Sequence, residues 1–502
     1  MLGPQRPPVH RVVCLGFVVS ITSATAQPAE PHATVTCAST GERVECAADT
    51  SNGATLRRTT SAAACILGRS WGYDAGAIWV KDGCAGEFTV GSASTRPSAN
   101  GKPTPIETWG AVEPGQGFLI GKTDLGALFI SVYALVRYLN QLTTGQTFTD
   151  HLGRTRAIDA RHDIYAHRIM IHLKGWVGVP KLRYQVTLWT VNTTDQKALF
   201  AVLGYQFHRK FSLYAGLNGI PGSRTLQGSH PYWLGHDRVM ADEFFRPYFT
   251  NGVWASGEVL PGLWYTGMIG NNLSGLGITS GQLTRNFSYG ASVWWMPTTH
   301  EFGPNGSFDD WEHHEEVATR FGVSGTHSRE DRFSSELNTP DNTTIRLADS
   351  LNLFDVGALA PDVTIQEGRY RLLSADAGLK YRGVFVGAHY FHRWLDDFIA
   401  DGALPTDSIV DKGFYLQAAF YPVKKKLELY GATSWVFGDE SAGFDTHHEY
   451  LGGANWFFTS TRDIRINAQL IRINRSPVSS SFGYYVGGQR GMTASLAASI
   501  LF

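Results

Sequence analysis

Nine basic side chains share one parity along a series of alternating segments: Arg137, Arg168, Lys174, Arg183, Arg320, Lys380, Arg382, Arg393 and Arg465. Three acidic residues, Asp376, Glu428 and Asp463, fall on the same side. The whole chain is near neutral, with 43 Lys and Arg against 44 Asp and Glu, so this excess predicts a positive surface on one face of a sheet. If that face lines a water-filled passage, low-dielectric walls concentrate the field and the passage favours anions. The competing reading is that these charges only solvate the passage and pair across strands. Arg224, Arg238 and Arg246, with His230 and His236, lie in one long connection, 219–250. As the third connection on its side, it is long enough to fold inward and form a constriction.

Residues that could perform a reaction are scarcer. Trp311-Glu312-His313-His314-Glu315-Glu316 and His447-His448-Glu449 hold metal-capable side chains. Neither has the H-E-x-x-H spacing that places two imidazoles and a general base on one helical face. Ser324 and His327 lie on one segment with opposite parities, so they face opposite sides. No Gly-rich phosphate loop of the P-loop type occurs. The expectation is no catalytic centre, no metal and no cofactor.

The segments that must position these residues alternate with a period of two. In the last twelve residues Met492, Ala494, Leu496, Ala498, Ile500 and Phe502 are apolar, while Gly491, Thr493, Ser495, Ala497 and Ser499 are small or polar. Leu128, Ile130, Val132, Ala134, Val136 and Tyr138 likewise oppose Ser131, Tyr133 and Arg137. Such segments are strands with one oily face. Sixteen are expected, at 127–138, 163–174, 181–191, 199–208, 211–218, 251–260, 262–271 and 287–296 in the first half. The second eight are 316–327, 370–381, 383–394, 413–421, 427–437, 449–458, 463–473 and 491–502. Short turns alternate with long loops, and an even count returns both ends to one side, as in a transmembrane antiparallel barrel. The connection at 297–315 is long for its side, and a seventeenth strand at 351–358 would break the alternation.

Composition agrees with this all-β reading. Aromatics make up 12% and charged residues only 17%, with 55 glycines in 502 residues. No run of eighteen apolar residues exists, which excludes a helical membrane protein. Arg6, His10 and Arg11 precede the apolar run Val12–Ile21, and Ala24-Thr25-Ala26 supplies a cleavage site, so residues 1–26 are expected to be a signal peptide. Removing Arg6 and Arg11 leaves 43 − 2 = 41 basic against 44 acidic residues, a net charge of 41 − 44 = −3 that gives no reason to expect nucleic acid.

After cleavage Cys37, Cys46, Cys65 and Cys84 remain, all within a short segment at 34–91. An even number in an exported domain too small for a large core implies two disulfides, with three pairings open. A zinc site is the competing reading, but no C-x2-C occurs. Trp71, Tyr73 and Trp79 either stack on sugar rings or, in the stronger reading, pack a core. Residues 92–108, SASTRPSANGKPTPIET, are a linker. The barrel then takes 109–502.

Two resemblances follow from quoted residues. The pattern C…C…C-x4-SWGY…IWV-x2-GC-x2-F over 34–91 resembles a small exported bacterial domain of unknown function and implies no activity. GLNGIPGSR (Gly216 to Arg224), FFRPYFTNGVWASGE (Phe244 to Glu258) and GLWYTGMIGNN (Gly262 to Asn272) resemble the porin O and P family, phosphate-selective outer-membrane porins. So do KYRGVFVGAHYFHRWLDDF (Lys380 to Phe398) and EYLGGANWFF (Glu449 to Phe458). The resemblance implies a sixteen-stranded, trimeric, anion-preferring pore, with phosphate or polyphosphate as solute. The lysine ring and arginine ladder of that family do not map onto these positions.

The leading expectation is therefore passive diffusion of small hydrophilic solutes across the outer membrane. Its rivals are a barrel that anchors 34–91 to peptidoglycan or another periplasmic partner, and a barrel hydrolase. Acidic outer loops, Asp396, Asp397, Asp401, Asp407 and Asp411 in one and Asp439, Glu440, Asp445 and Glu449 in another, could share divalent cations with lipopolysaccharide. Ordinary solvated loops are the stronger reading there.

Overall fold

The computed structural model of the chain describes residues 33–50, 54–63, 65, 70–74, 76–90, 117–191, 196–273, 286–331, 345–459, 461–480 and 483–502. The expected signal peptide and linker lie outside them. The chain divides into two compact units, Met1–Thr104 and Pro105–Phe502.

The described residues of the first unit hold six short strands: β1 (Ala33–Ala38), β2 (Val44–Ala47), β3 (Ala54–Thr59), β4 (Trp71–Asp74), β5 (Ala77–Val80) and β6 (Ala85–Val90). They form two three-stranded sheets, β1-β6-β3 and β2-β5-β4. Disulfides join Cys37 to Cys46 and Cys65 to Cys84, which selects one of the three pairings. Trp71, Ile78, Val80, Phe88 and Val90 pack around Cys37 and Cys84, so Trp71 belongs to the core. Tyr73 is exposed, and Trp79 lies half-buried with the Arg43 guanidinium 4.8 Å from its ring.

In the second unit the early segments are β7 (Phe118–Thr123), β8 (Gly126–Gln141), β9 (Gln146–Thr149), β10 (Thr155–Ile158), β11 (His162–Val177), β12 (Val179–Val191), β13 (Gln196–His208) and β14 (Phe211–Gly219). A short helix, α1 (Met240–Phe245), interrupts the next connection. There follow β15 (Phe249–Leu260), β16 (Leu263–Gly270), β17 (Ser288–Trp295), β18 (Ala318–Asp331), β19 (Ile365–Tyr381) and β20 (Val384–Ala400). The last are β21 (Ser408–Val423), β22 (Leu427–Phe437), β23 (Thr446–Trp456), β24 (Ile464–Asn474) and β25 (Gly491–Leu501).

Strand β8 and strands β11 to β25 close an antiparallel ring of sixteen. All sixteen correspond to segments expected from the alternation. The closure needs a seventeenth piece that the pattern did not reveal. β25 pairs with the half of β8 from Tyr133 to Gln141, and β7 pairs with the remaining half from Gly126 to Ile130. Phe118 and Phe502 meet across this seam with ring centroids 5.4 Å apart. Among the described residues each of the sixteen ring strands is paired on both sides, as backbone in hydrocarbon requires. β9 and β10 form a separate hairpin in the first long loop.

Alternation sets the two faces. Val136, Leu199, Leu203, Ile269, Val323, Leu470 and Leu496 point outward and remain about half exposed. Near the short turns the outward face carries Phe207, Phe211, Trp295, Phe420, Trp456 and Phe502, an aromatic girdle of the kind found where a barrel meets a membrane boundary. The inward face reads Ser131, Tyr133, Leu135, Arg137 and Leu139 on β8, all buried.

Those inward residues are buried because the interior is filled. Nearly every residue from 220 to 248 is buried, and Phe245 stacks on Phe391 of the wall at 5.2 Å. Leu347, Leu353, Phe354 and Leu359 enter from the connection after β18, and Val478, Tyr484 and Tyr485 from the one after β24. Phe302 and Phe308 enter from the opposite, short-turn side. This explains why the 296–317 connection is longer than its neighbours: it supplies part of the interior core.

Candidate functional site

The inward arginines do not face open water. A bulge in β11 at Ala166/Arg168 turns both His167 and Arg168 toward the interior, beside Arg137 of β8. All three converge on Asp237 of the 220–248 loop. Arg168 Nη2 lies 2.8 Å from Oδ1, His167 Nε2 lies 3.1 Å from Oδ2, and Arg137 Nη1 bonds Oδ2. Arg137 also donates to the carbonyl of Gly483 at 2.9 Å and lies over the Tyr484 ring. Burial alone would raise the Asp237 carboxyl, but Arg168, His167 and Arg137 outweigh it and hold the group well below the usual range.

The remaining wall cations are answered in the same way. Arg320 Nε is 3.0 Å from Asp376 Oδ1, and its Nη2 bonds Gln227 of the loop. Arg393 Nη2 is 2.5 Å from Asp411 Oδ2 and 2.8 Å from the carbonyl of Arg346. Lys380 Nζ donates to the carbonyl of Phe302 at 2.6 Å and to Ser307 Oγ at 2.9 Å. Arg465 Nη1 reaches the Trp233 carbonyl at 2.6 Å. A buried charge is tolerated only when it is paired and hydrogen-bonded, and here loop and wall supply the partners.

One expected lining residue sits in a turn, and two lie on the inward parity near the short turns. Arg382 is an exposed turn residue with φ +47° between β19 and β20, so it does not line the interior; parity stops at a turn. Lys174 and Arg183 lie near the short turns, half-buried, with Arg183 Nε 3.2 Å from the Pro180 carbonyl. Asp463 is likewise an exposed turn residue, whereas Asp376 and Glu428 are buried inside. Asp411 and Glu449, expected in outer loops, are strand residues sealed in the interior. Glu449 Oε1 accepts the Met240 amide of α1 at 2.6 Å.

The three arginines of the inward loop serve its own fold. Arg224 lies 4.0 Å from the Phe308 ring centroid and donates to the carbonyls of Gly306 and Ser307. Arg238 approaches Asp242 at 3.3 Å, and Arg246 donates to Glu243 at 3.0 and 2.8 Å. Asp242 also accepts from Ser223 and Thr225, tying the loop's two ends together. The loop thus folds as a unit that presents Asp237 outward to the wall.

Two histidine clusters noted in the sequence resolve differently. His314 sits between Asp310, on Nδ1, and Glu301, whose Oε1 is 2.7 Å from Nε2. Burial alone would lower His314, but the two carboxylates lift it to about 9. Asp310, Glu312 and His314 gather their ligand atoms within 4.8 Å, yet both imidazole nitrogens are already bonded and Arg462 approaches Glu312 at 3.4 Å. This is an ion-pair clasp for the short-turn side. In the second cluster His447 points inward and His448 outward against Trp435. Ser324 is buried inside, and His327 faces the other side.

Asp237 and His167 escaped sequence reading. Asp237 lies in a loop without periodicity, and His167 owes its direction to the bulge, which shifts parity by one residue. The only sequence signal was adjacency of His167 to Arg168.

Residues 13–105 match the model of a protein family of unknown function, DUF3011. That match ends before the barrel, so the phosphate-selective porin resemblance rests on its five segments alone. No curated protein matches the chain. Among solved structures, OmpT of Vibrio cholerae aligns at 12% identity over 76% of this chain and 100% of that one, with a TM-score of 0.48. An anion-selective porin from Comamonas acidovorans aligns at 11% identity over 75% and 99%, with a TM-score of 0.44. OmpF of Salmonella typhi aligns at 13% identity over 77% and 100%, also with a TM-score of 0.44.

Proposed function

We propose that the chain is a porin-type barrel of the outer membrane that passes small hydrophilic solutes, preferring anions, when its infolded loops withdraw. The observation that carries this reading is the closed sixteen-stranded ring, apolar outside and lined inside by Arg137, Arg168, Arg320, Lys380, Arg393 and Arg465. Withdrawal of the loop would leave Arg137, Arg168 and Arg465 facing the space it occupied, and a positive lining lowers the barrier for anions. In this conformation the loops close the passage. Phosphate as solute, a homotrimeric assembly, a cleaved leader, residues 34–91 on the periplasmic side and lipopolysaccharide around the rim complete the proposal. No catalytic step is part of it.

Proteoliposome swelling and planar-bilayer recording of the purified full chain test it. Swelling in small sugars and discrete current steps are expected. Silence in both assays would overturn the channel reading.

One observation favours a second reading. A filled interior is also what a barrel needs if it serves as an anchor for the disulfide-bonded domain. Loss of envelope attachment on deleting residues 34–91, with an inert barrel, would favour that role.

A further inference from the structure

Asp237 differs from every other carboxylate of the inward loop. Asp242 and Glu243 pair within the loop, with Arg238 and Arg246. Asp237 instead enters a pocket whose nitrogen groups all belong to the wall: the guanidinium groups of Arg137 from β8 and Arg168 from β11, and the imidazole of His167 from β11. Tyr165 pairs with Arg137 and Arg168 with Leu135 in the same ladder, so the pocket is a fixed feature of two adjacent strands.

Around this pocket, Arg168 Nη1 is 3.3 Å from His230 Nε2, and His236 Nε2 is 3.0 Å from Ser499 Oγ. The His230 ring meets Tyr133 of the wall at 4.9 Å, the Tyr232 ring lies 4.2 Å from the Arg462 guanidinium, and three backbone carbonyls of the segment accept from the wall. Arg465 bonds those of Trp233 and Gly235, and Asn455 that of Leu234 at 2.8 Å. Asp237 is the carboxylate that ties the segment to the wall.

Two guanidinium groups held together in a low-dielectric interior repel unless an anion lies between them. Flat guanidinium forks match the oxygen spacing of carboxylate and phosphate. If Asp237 leaves, the pocket demands a substitute of that chemistry.

We propose that Arg137, Arg168 and His167 form a binding site for a small oxyanion, which competes with Asp237 and so releases the inward loop from the wall. Asp237 is then a built-in competitor, and the solute opens its own path. This deepens the channel reading and takes its physiological sense from it, but the site itself can be tested without any current.

The experiment uses the full chain in detergent, with the barrel fold checked by heat-modifiable gel mobility. Binding of inorganic phosphate and of acetate is measured by calorimetry at constant ionic strength in chloride. Asp237→Asn is expected to bind phosphate at least tenfold more tightly than wild type, and Asp237→Asn with Arg168→Gln to lose that gain. Acetate binding in place of phosphate would assign the site to carboxylates. In wild type, hydrogen exchange of residues 228–239 should quicken at least tenfold on adding the oxyanion that binds. Equal binding by wild type and Asp237→Asn, or unchanged exchange in wild type, would overturn the proposal. A silent bilayer would overturn the channel reading while leaving this site standing.

Discussion

Arg393 on β20 and Asp411 on β21 stand opposite each other in the ladder, with Nη2 2.5 Å from Oδ2 and both side chains sealed from water. Arg393 also lies 4.3 Å from the Phe244 ring of α1 and donates to the Arg346 carbonyl. One cation thus ties two wall strands, the helix of one inward loop and the backbone of another. Removing either partner strands a buried charge, which costs about 3–5 kcal/mol, whereas replacing both with apolar groups is often near neutral. Arg393→Gln should therefore lower the midpoint of urea unfolding markedly, and Arg393→Met with Asp411→Leu should recover most of the loss.

Val293 and Val323 face each other on β17 and β18, both outward and about half exposed. If lipid lies there, a charge near the bilayer midplane costs about 2–4 kcal/mol. Val323→Arg should impair insertion into vesicles by that order. Ser324→Thr, one residue along and facing inward, should insert normally.

The clasp around His314 predicts a pH dependence. His314 has its ordinary value near 6.5 when unfolded and about 9 when folded, because Asp310 and Glu301 hold its charged form. A raised folded value means the stabilisation is complete below about 6.5 and disappears as pH rises through about 9. Hydrogen exchange of the 297–317 connection, corrected for intrinsic rate, should therefore accelerate between pH 7 and 10. In His314→Gln that acceleration should be absent.

The cysteine domain depends on its cross-links. Cys37–Cys46 and Cys65–Cys84 close loops of sequence separation 9 and 19. Each is expected to contribute roughly 3 kcal/mol by the chain-entropy account, the longer loop slightly more. Reduction should expose residues 34–91 to protease in the full chain while the barrel keeps its heat-modifiable mobility.

The sixteen strands were legible because a period of two survives in every one of them, from Leu128 to Ile500. β7 was not, since its six residues, FLIGKT, scarcely alternate and its place depends on pairing with β8. Arg137, Arg320, Arg393 and Arg465 share one parity and are all buried. Parity could not tell what they meet. That depends on loops such as 220–248 and 345–364, whose packing has no sequence period, so a passage open to water was expected where Phe244, Leu353 and Tyr484 are packed. The rejected strand at 351–358 is indeed no barrel strand; its Asn352 makes a single isolated bridge with Arg346 inside the fill. Arg382 misled because alternation was carried one residue past the end of β19.

In a conducting barrel the inward arginines would meet the permeating ions. The direct measurement is the reversal potential of the purified chain in a planar bilayer under a potassium chloride gradient, for wild type and Asp237→Asn. Openings that reverse toward the chloride equilibrium potential, more frequent in Asp237→Asn, are predicted. Reversal toward the potassium potential would contradict the account.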